Sequence, residues 1–173
     1  LNGFRVFAGI ESDILPDGSL DYDDEVLARF DLVVGSLHSG LTLPREQQMA
    51  RVTAALRNPY LDIFAHPTGR LLLRRDGADL DLAAVIETAA ETGVTLEING
   101  NPRRLDLDWR WVRRAIEAGC KLSVDPDAHR PEGMLHNRFG IGVARKGWAT
   151  KKDILNTLPA EKFLAALRSN RKK

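Results

Sequence analysis

Three observations predict an α/β fold built on a parallel sheet. Short apolar runs alternate with longer stretches of helical periodicity along the whole chain. The runs are almost continuously apolar, as strands covered on both faces are, and do not alternate polar with apolar. A polar residue suited to chemistry closes successive runs at intervals near the ~30 residues of a βα unit. Such a pattern closes into a (βα) barrel or opens into a doubly wound sheet. No Gly-x-Gly-x-x-Gly follows any strand, which removes the main support for the dinucleotide-binding version of the open sheet.

The elements follow in order. Residues 4–10 (FRVFAGI) read as a buried strand ending at Glu11-Ser12-Asp13, and Leu15-Pro16-Asp17-Gly18-Ser19 as a turn. Residues 22–30 allow one or two helical turns. Residues 32–37 (LVVGSL) form the next strand and stop at His38. Pro44 suits a helix N1 position and opens a helix over 45–57, which ends before Asn58-Pro59. A third strand, 61–65, runs into His66-Pro67. Leu82, Val85, Ile86 and Ala89 make the stripe of a helix over 80–91 that Gly93 closes. A fourth strand over 94–98 precedes Asn99, a helix covers 107–118, and a short fifth strand over 122–124 leads into Asp125-Pro126-Asp127-Ala128-His129. Residues 141–144 read as a sixth strand, and helical segments interrupted by Pro159 fill 154–167.

Composition bounds the function. The 173 residues, 43% hydrophobic and 28% charged, suit one globular domain and exclude a disordered or fibrous chain. No apolar run approaches the roughly 18 residues of a membrane helix. The single cysteine, Cys120, excludes a disulfide framework and fits a reducing cytoplasm. It reads as a small buried hydrophobe. No secretory or transit pattern is read at the start, and a cytoplasmic location is expected. Charge is uneven: residues 138–173 hold ten Lys/Arg against Asp153 and Glu161, hence +8, which leaves −7 for the rest of a chain at +1 overall. Such a basic end suits phosphate backbones or simply a solvated helix.

Glu11, His38, His66, Asn99 and Asp127 stand at or just past predicted strand ends, 27, 28, 33 and 28 residues apart. In a (βα) barrel those ends open on one face, where such barrels carry their active sites. Histidines and carboxylates supply the nitrogen and oxygen ligands of zinc, manganese or iron. Asp127 and His129, two apart on an extended segment, point the same way. A lone histidine after a strand is more often a hydrogen-bonded structural group. Three of the four histidines on one register is the informative coincidence, and His136 reads as a surface residue. Arg70 and Arg104 reach the same rim and suit phosphate, or else pair with Asp76 or Asp106. Trp109 and Trp111 read as helix packing. Neither a Cys-His pair nor a Ser-His-Asp triad is supported.

Several segments then resemble the PHP (polymerase and histidinol phosphatase) family, and more particularly the C-terminal PHP domain of bacterial and archaeal family X DNA polymerases. They are Ala8-Gly9-Ile10-Glu11-Ser12-Asp13-Ile14, Val34-Gly35-Ser36-Leu37-His38-Ser39, Phe64-Ala65-His66-Pro67-Thr68-Gly69-Arg70, Leu96-Glu97-Ile98-Asn99-Gly100-Asn101-Pro102 with Arg104, and Asp127-Ala128-His129. The resemblance implies a distorted seven-stranded (βα) barrel with up to three divalent ions, manganese or zinc. It implies phosphoesterase chemistry, here 3′-5′ exonuclease and DNA 3′-end processing in repair. Glu11 matches a metal-bridging glutamate, His38 and His66 later histidine ligands, and Asp127 and His129 the last ligand pair. Arg70, Asn101 and Arg104 match positions suited to substrate. The family's opening His-x-His, Asp and His have no counterpart before Glu11. Residues 1–173 therefore read as the C-terminal part of one PHP domain, its barrel incomplete, with an upstream PHP segment and a polymerase module as partners. Such a piece is expected to bind fewer ions and to be impaired by itself. A non-catalytic scaffold supporting a polymerase and a small-molecule phosphatase of the histidinol-phosphate type are the alternatives.

Overall fold

The computed structural model describes residues 4–168; the opening Leu1-Asn2-Gly3 and the last basic residues Arg171, Lys172 and Lys173 lie outside the described residues. Five strands, β1 (Gly9–Asp13), β2 (Leu32–Ser36), β3 (Ile63–Phe64), β4 (Thr95–Asn99) and β5 (Leu122–Asp125), form one sheet. Every pairing is parallel and the spatial order is the sequence order. An order that never reverses has no switch point, unlike that of a doubly wound sheet, and is consistent with part of a barrel wall. β3 is short, and Asp62 lengthens its hold on β2: its carboxylate accepts from Val33 N at 2.8 Å while its own N–H reaches the Val33 carbonyl at 3.0 Å.

Helices α1 (Asp24–Leu27), α2 (Arg45–Leu56), α3 (Leu82–Thr92) and α4 (Trp109–Glu117) each connect one strand to the next. Asp81 and Asp108 accept from first-turn amides of α3 and α4, as N-caps do. Gly93 ends α3 at φ 75°, the left-handed closure that glycine allows at no steric cost. Val33, Leu37, Phe64, Leu96, Ile98, Leu122 and Val124 project from the sheet toward these helices and are buried among Val52, Val85, Ile86 and Val112. Cys120 joins this core, its thiol donating to the Ile86 carbonyl at 3.3 Å and pushed up to about 11 by burial. Trp111 packs against the same core, while Trp109 is 40% exposed under the Lys146 ammonium, 4.7 Å from its ring centre.

Two expectations need correction. Residues 141–144 are helical, within α5 (Asn137–Lys146). Its two glycines and branched residues imitate a strand, but Gly140 and Ala144, four apart, form the buried stripe. A Cβ at Gly140 would stand 2.8 Å from Val124 Cγ1 and 3.1 Å from Gly100 Cα, so only glycine lets α5 seat on the ends of β4 and β5. The sheet is instead continued beyond β5 by a single parallel bridge, Leu122 to Ile154. The first strand also starts later than expected. Gly9 is opposite Leu32, the first residue of β2. Ala8 still bonds Asp31, its carbonyl accepting from Asp31 N at 2.7 Å and its N–H donating to Asp31 Oδ2 at 3.0 Å, and residues 4–7 lie beyond the ladder.

Those residues turn instead to the last helix, α6 (Ala160–Arg168): Phe7 stacks on Phe163 at 5.8 Å, and Arg5 lies 3.5 Å from Glu161. Phe4 and Val6 remain exposed. Helix α6 and the 3-10 turn Leu155–Thr157 cover the other face of the sheet, where Leu32, Val34 and Ile63 meet Leu155, Phe163 and Leu167.

Candidate metal centre

Strand parity sorts the side chains of β1: Glu11 and Asp13 share one face, Ile10 and Ser12 the opposite one. Glu11 faces the side of Leu32, Val34 and Ile63, away from the main core. There it lines a cavity of about 310 Å³ with His66, Glu97, Ser123, Asp125 and Asp127, whose apolar end is made by Leu32, Val34, Ile63 and Phe163. His38 follows β2 and His66 follows β3, and parallel pairing brings both beside Glu11 although they lie 27 and 55 residues from it in sequence.

Glu11 Oε1 lies 3.4 Å from His38 Nε2 and 3.3 Å from His66 Nε2. The three donor atoms fall within 4.8 Å of one another, a set that could hold one metal ion. Two observations show that these residues fit an ion. His38 Nδ1 donates to Asp13 Oδ1 at 2.5 Å, which fixes the tautomer and leaves Nε2 with its lone pair on the Glu11 side, where a metal ion could take it. His66 is 1% exposed, yet neither of its ring nitrogens makes a hydrogen bond. Buried polar atoms are rarely left so. The His66 ring beside it, and then Ser36 and His38, hold the Glu11 carboxyl down to about 2 against the opposing effect of burial. His66 (φ 29°) and Asp127 (φ 50°) both occupy the left-handed region, a backbone state that collects at functional sites.

The other expected residues fall into two groups. Asp127 lines the cavity and stands 3.8 Å from Arg104 Nε, whose Nη1 is buried without a hydrogen bond. His129 does not join the cluster: its side chain is 81% exposed and Nδ1 bonds the Asp127 carbonyl at 2.9 Å. Arg70 is not held free for phosphate. Its guanidinium donates to the carbonyls of Arg104 (2.9 Å) and Leu105 and lies 3.5 Å from Asp108, so it ties the β3–α3 loop to the β4–α4 loop. Asp106 strengthens the same tie by accepting from Thr68 N, Thr68 Oγ1 and Gly69 N. Asn101 is partly buried at this rim and caps Arg103 N at 3.0 Å. Asn99 orients its neighbours, donating to Glu97 at 3.2 Å and accepting from Asn101 N at 2.9 Å. His136 is partly buried, 6.0 Å from the Phe139 ring.

Sequence reasoning missed Glu97 and Asp125. Burial, followed by their mutual proximity, raises the Glu97 carboxyl well above the usual range, and burial raises that of Asp125. Glu97 accepts the His66 backbone N–H at 2.5 Å, which fixes the histidine's main chain. The available signal was parity. Glu97 and Asn99, like Ser123 and Asp125, are polar at alternate positions of otherwise apolar strands.

No family model matches the chain. It is 45% identical over 167 residues to the DNA polymerase/3'-5' exonuclease PolX of Bacillus subtilis, covering 96% of its own length and 29% of that relative. It is 27% identical to a probable phosphatase of Thermoanaerobacter sp., covering 91% of its own length and 66% of the relative. Against a probable phosphatase of Acetivibrio thermocellus it is 34% identical, over 70% of its own length and 46% of the relative. The chain thus spans less than a third of PolX and no more than about two thirds of these phosphatases. With a parallel sheet in sequential order, a Glu/His/His cluster at its strand ends and these similarities, the chain belongs to the PHP (polymerase and histidinol phosphatase) domains, PolX-like among them.

Proposed function

We propose that the chain is a metal-dependent phosphoesterase module of a family X DNA polymerase that processes DNA 3′ ends in cytoplasmic DNA repair. The observation that carries this reading is the Glu11–His38–His66 cluster, with a buried histidine whose ring nitrogens make no hydrogen bond. Glu11, His38 and His66 would hold a manganese or zinc ion there, which would supply Lewis-acid chemistry toward a phosphoryl oxygen and an attacking water. Glu11, ionised down to about pH 2, offers a permanent negative donor, and Asp13 keeps His38 in the tautomer that presents Nε2. Asp127 and His129 complete the ligand set, His129 by turning its exposed ring in from the loop after β5. Arg104 and Asn101 stand on the rim as phosphate contacts, while Arg70 holds that rim in place.

The relatives' extents support a module working inside a longer polymerase chain, beside an upstream PHP segment and a polymerase module. By itself it would hold fewer than three ions and turn over slowly. Hydrolysis of a small phosphate ester is the second reading, favoured by the larger share of the probable phosphatases that the chain covers. A scaffold role without catalysis is the third. The test is release of mononucleotides from a 3′-labelled strand, alongside hydrolysis of histidinol phosphate. Both are run with manganese, with and without chelator, on the chain alone and fused to its parent's upstream segment. Chelator-sensitive release of nucleotides by the fusion, abolished by His66→Ala, is expected. Hydrolysis of the small ester alone would favour the phosphatase, and no turnover of either substrate would leave the scaffold.

A further inference from the structure

The loop after His66 carries a feature that metal chemistry does not use. Leu71 and Arg75 pair as an antiparallel bridge, leaving Leu72, Leu73 and Arg74 at the tip of a small hairpin. Leu73 is 106% exposed at φ 62°, and Leu72 is 38% exposed. Left-handed tip positions ordinarily fall to glycine, asparagine or aspartate, because a Cβ crowds the following carbonyl. Here leucine adopts the crowded backbone and buries nothing in return. Turn-forming residues are at hand in the same loop, Asp76 and Gly77, but not at its tip.

The base of the hairpin is rigid. Arg75 donates to the Gly69 carbonyl at 2.7 Å, Leu72 N–H to the Arg103 carbonyl at 2.6 Å, and Arg70 ties the adjoining loop. Arg74 and Arg103 flank the leucines, both exposed and neither in an ion pair among the described residues. The next residue, Arg104, leans on Asp127 of the metal centre, so the hairpin and the cluster share one rim.

We propose that this hairpin is a wedge for a DNA end: Leu72 and Leu73 lie against or between the last bases, and Arg74 and Arg103 take the flanking phosphates. The inference rests on the DNA reading above and deepens it by naming how a polymer is engaged. A metal cluster binds the phosphate of any ester, so choosing a nucleic acid requires contacts beyond it. Leucine is among the side chains that serve as apolar wedges between bases, and unpaired guanidinium groups suit phosphate. An apolar tip without them would suit a protein partner. Two free arginines beside it favour a polyanion.

The experiment uses the 173-residue chain in chelator, with anisotropy of a fluorescent single-stranded oligonucleotide and of a duplex with a frayed 3′ end. Leu73→Gly should raise the Tm, because glycine relieves the left-handed backbone, while weakening DNA binding on the order of tenfold. A merely structural leucine would move both downward, and that outcome overturns the proposal. Arg74→Ala and Arg103→Ala should each reduce the salt slope of log Kd by about 1. Unchanged affinity of Leu73→Gly, or no binding by the unmodified chain, also overturns it. So does self-association lost in Leu73→Gly while DNA binding persists, which would make the tip a protein contact. Because binding is read without metal, failed metal titration would sink the phosphoesterase reading and leave the wedge standing. Loss of the DNA arm alone would sink only the wedge.

Discussion

Replacing Arg51 by methionine should weaken the fold and loosen the metal centre together. Arg51 lies on α2 and is 1% exposed. Its Nε donates to the carbonyls of Ile14 (3.1 Å) and Leu15 (2.9 Å), Nη2 also reaches Ile14, and Nη1 donates to Ser39 at 2.9 Å. Ile14 and Leu15 directly follow Asp13, and Ser39 directly follows His38, so one guanidinium fastens both loops to the same helix. Methionine replaces the stem but donates nothing. At about 1–3 kcal/mol for the buried Ile14 carbonyl left without a donor, and about 0.5–1 for each of the part-buried carbonyls of Ser39 and of Leu15, which keeps the Gly18 N–H, the change should cost about 2–5 kcal/mol. A domain of this size has about 5–15 kcal/mol in all, so an eighth of it or more would go. Urea unfolding followed by circular dichroism measures the loss, with the slope m checked for constancy. Manganese affinity, measured well below the unfolding midpoint, should fall as well, because His38 and Asp13 are no longer held. A loss under about 1 kcal/mol, or an unchanged affinity, would refute the strapping argument.

Three further outcomes are expected. The Glu97 and Asp125 carboxyls have raised pKa values in the fold, so without metal the chain should lose stability as pH rises from the unfolded carboxyl value of roughly 4 toward the folded values. Glu97→Gln should flatten that dependence and stabilise the metal-free chain at neutral pH, and an unchanged slope in urea melts would contradict this. Asp13→Asn should weaken manganese binding by about 10–100-fold in calorimetry, through loss of the His38 tautomer, while leaving the Tm without metal nearly unchanged. Gly140→Ala should cost about 1–3 kcal/mol, because the added methyl meets Val124 and Gly100, and a Tm equal to that of the unmodified chain would show that α5 can shift at no cost.

The order of elements and the three converging donors were legible because they rest on signals the backbone cannot hide. Strand ends recur every βα unit, and parallel pairing turns that recurrence into proximity for Glu11, His38 and His66. Glu97 and Asp125 were obscured because they lie inside strands, where the apolar neighbours dominate the pattern and the carboxylates look like interruptions. Residues 141–144 misled because the branched Ile141 and Val143 read as extended, whereas the fit of Gly140 on Gly100 is a tertiary fact. The side-chain directions of Arg70 and His129 were out of reach for the same reason. Arg70 answers to the carbonyls of Arg104 and Leu105, and His129 to the Asp127 carbonyl, partners that only the folded loops supply.

The cavity beside Glu11 changes character from one end to the other. Carboxylates and the His66 imidazole line one end, and Leu32, Ile63 and Phe163 line the other. Asn156 also faces it, but its amide is already spent on both backbone groups of Val124. A cation arriving from solvent exchanges water for oxygen and nitrogen at the strand ends and finds nothing to exchange for further in. Stripping its remaining shell against hydrocarbon is prohibitive. The apolar end, made by the sheet and by Phe163 of the C-terminal helix, therefore acts as a stop: side chains that never touch an ion decide how far from the strand ends it can sit.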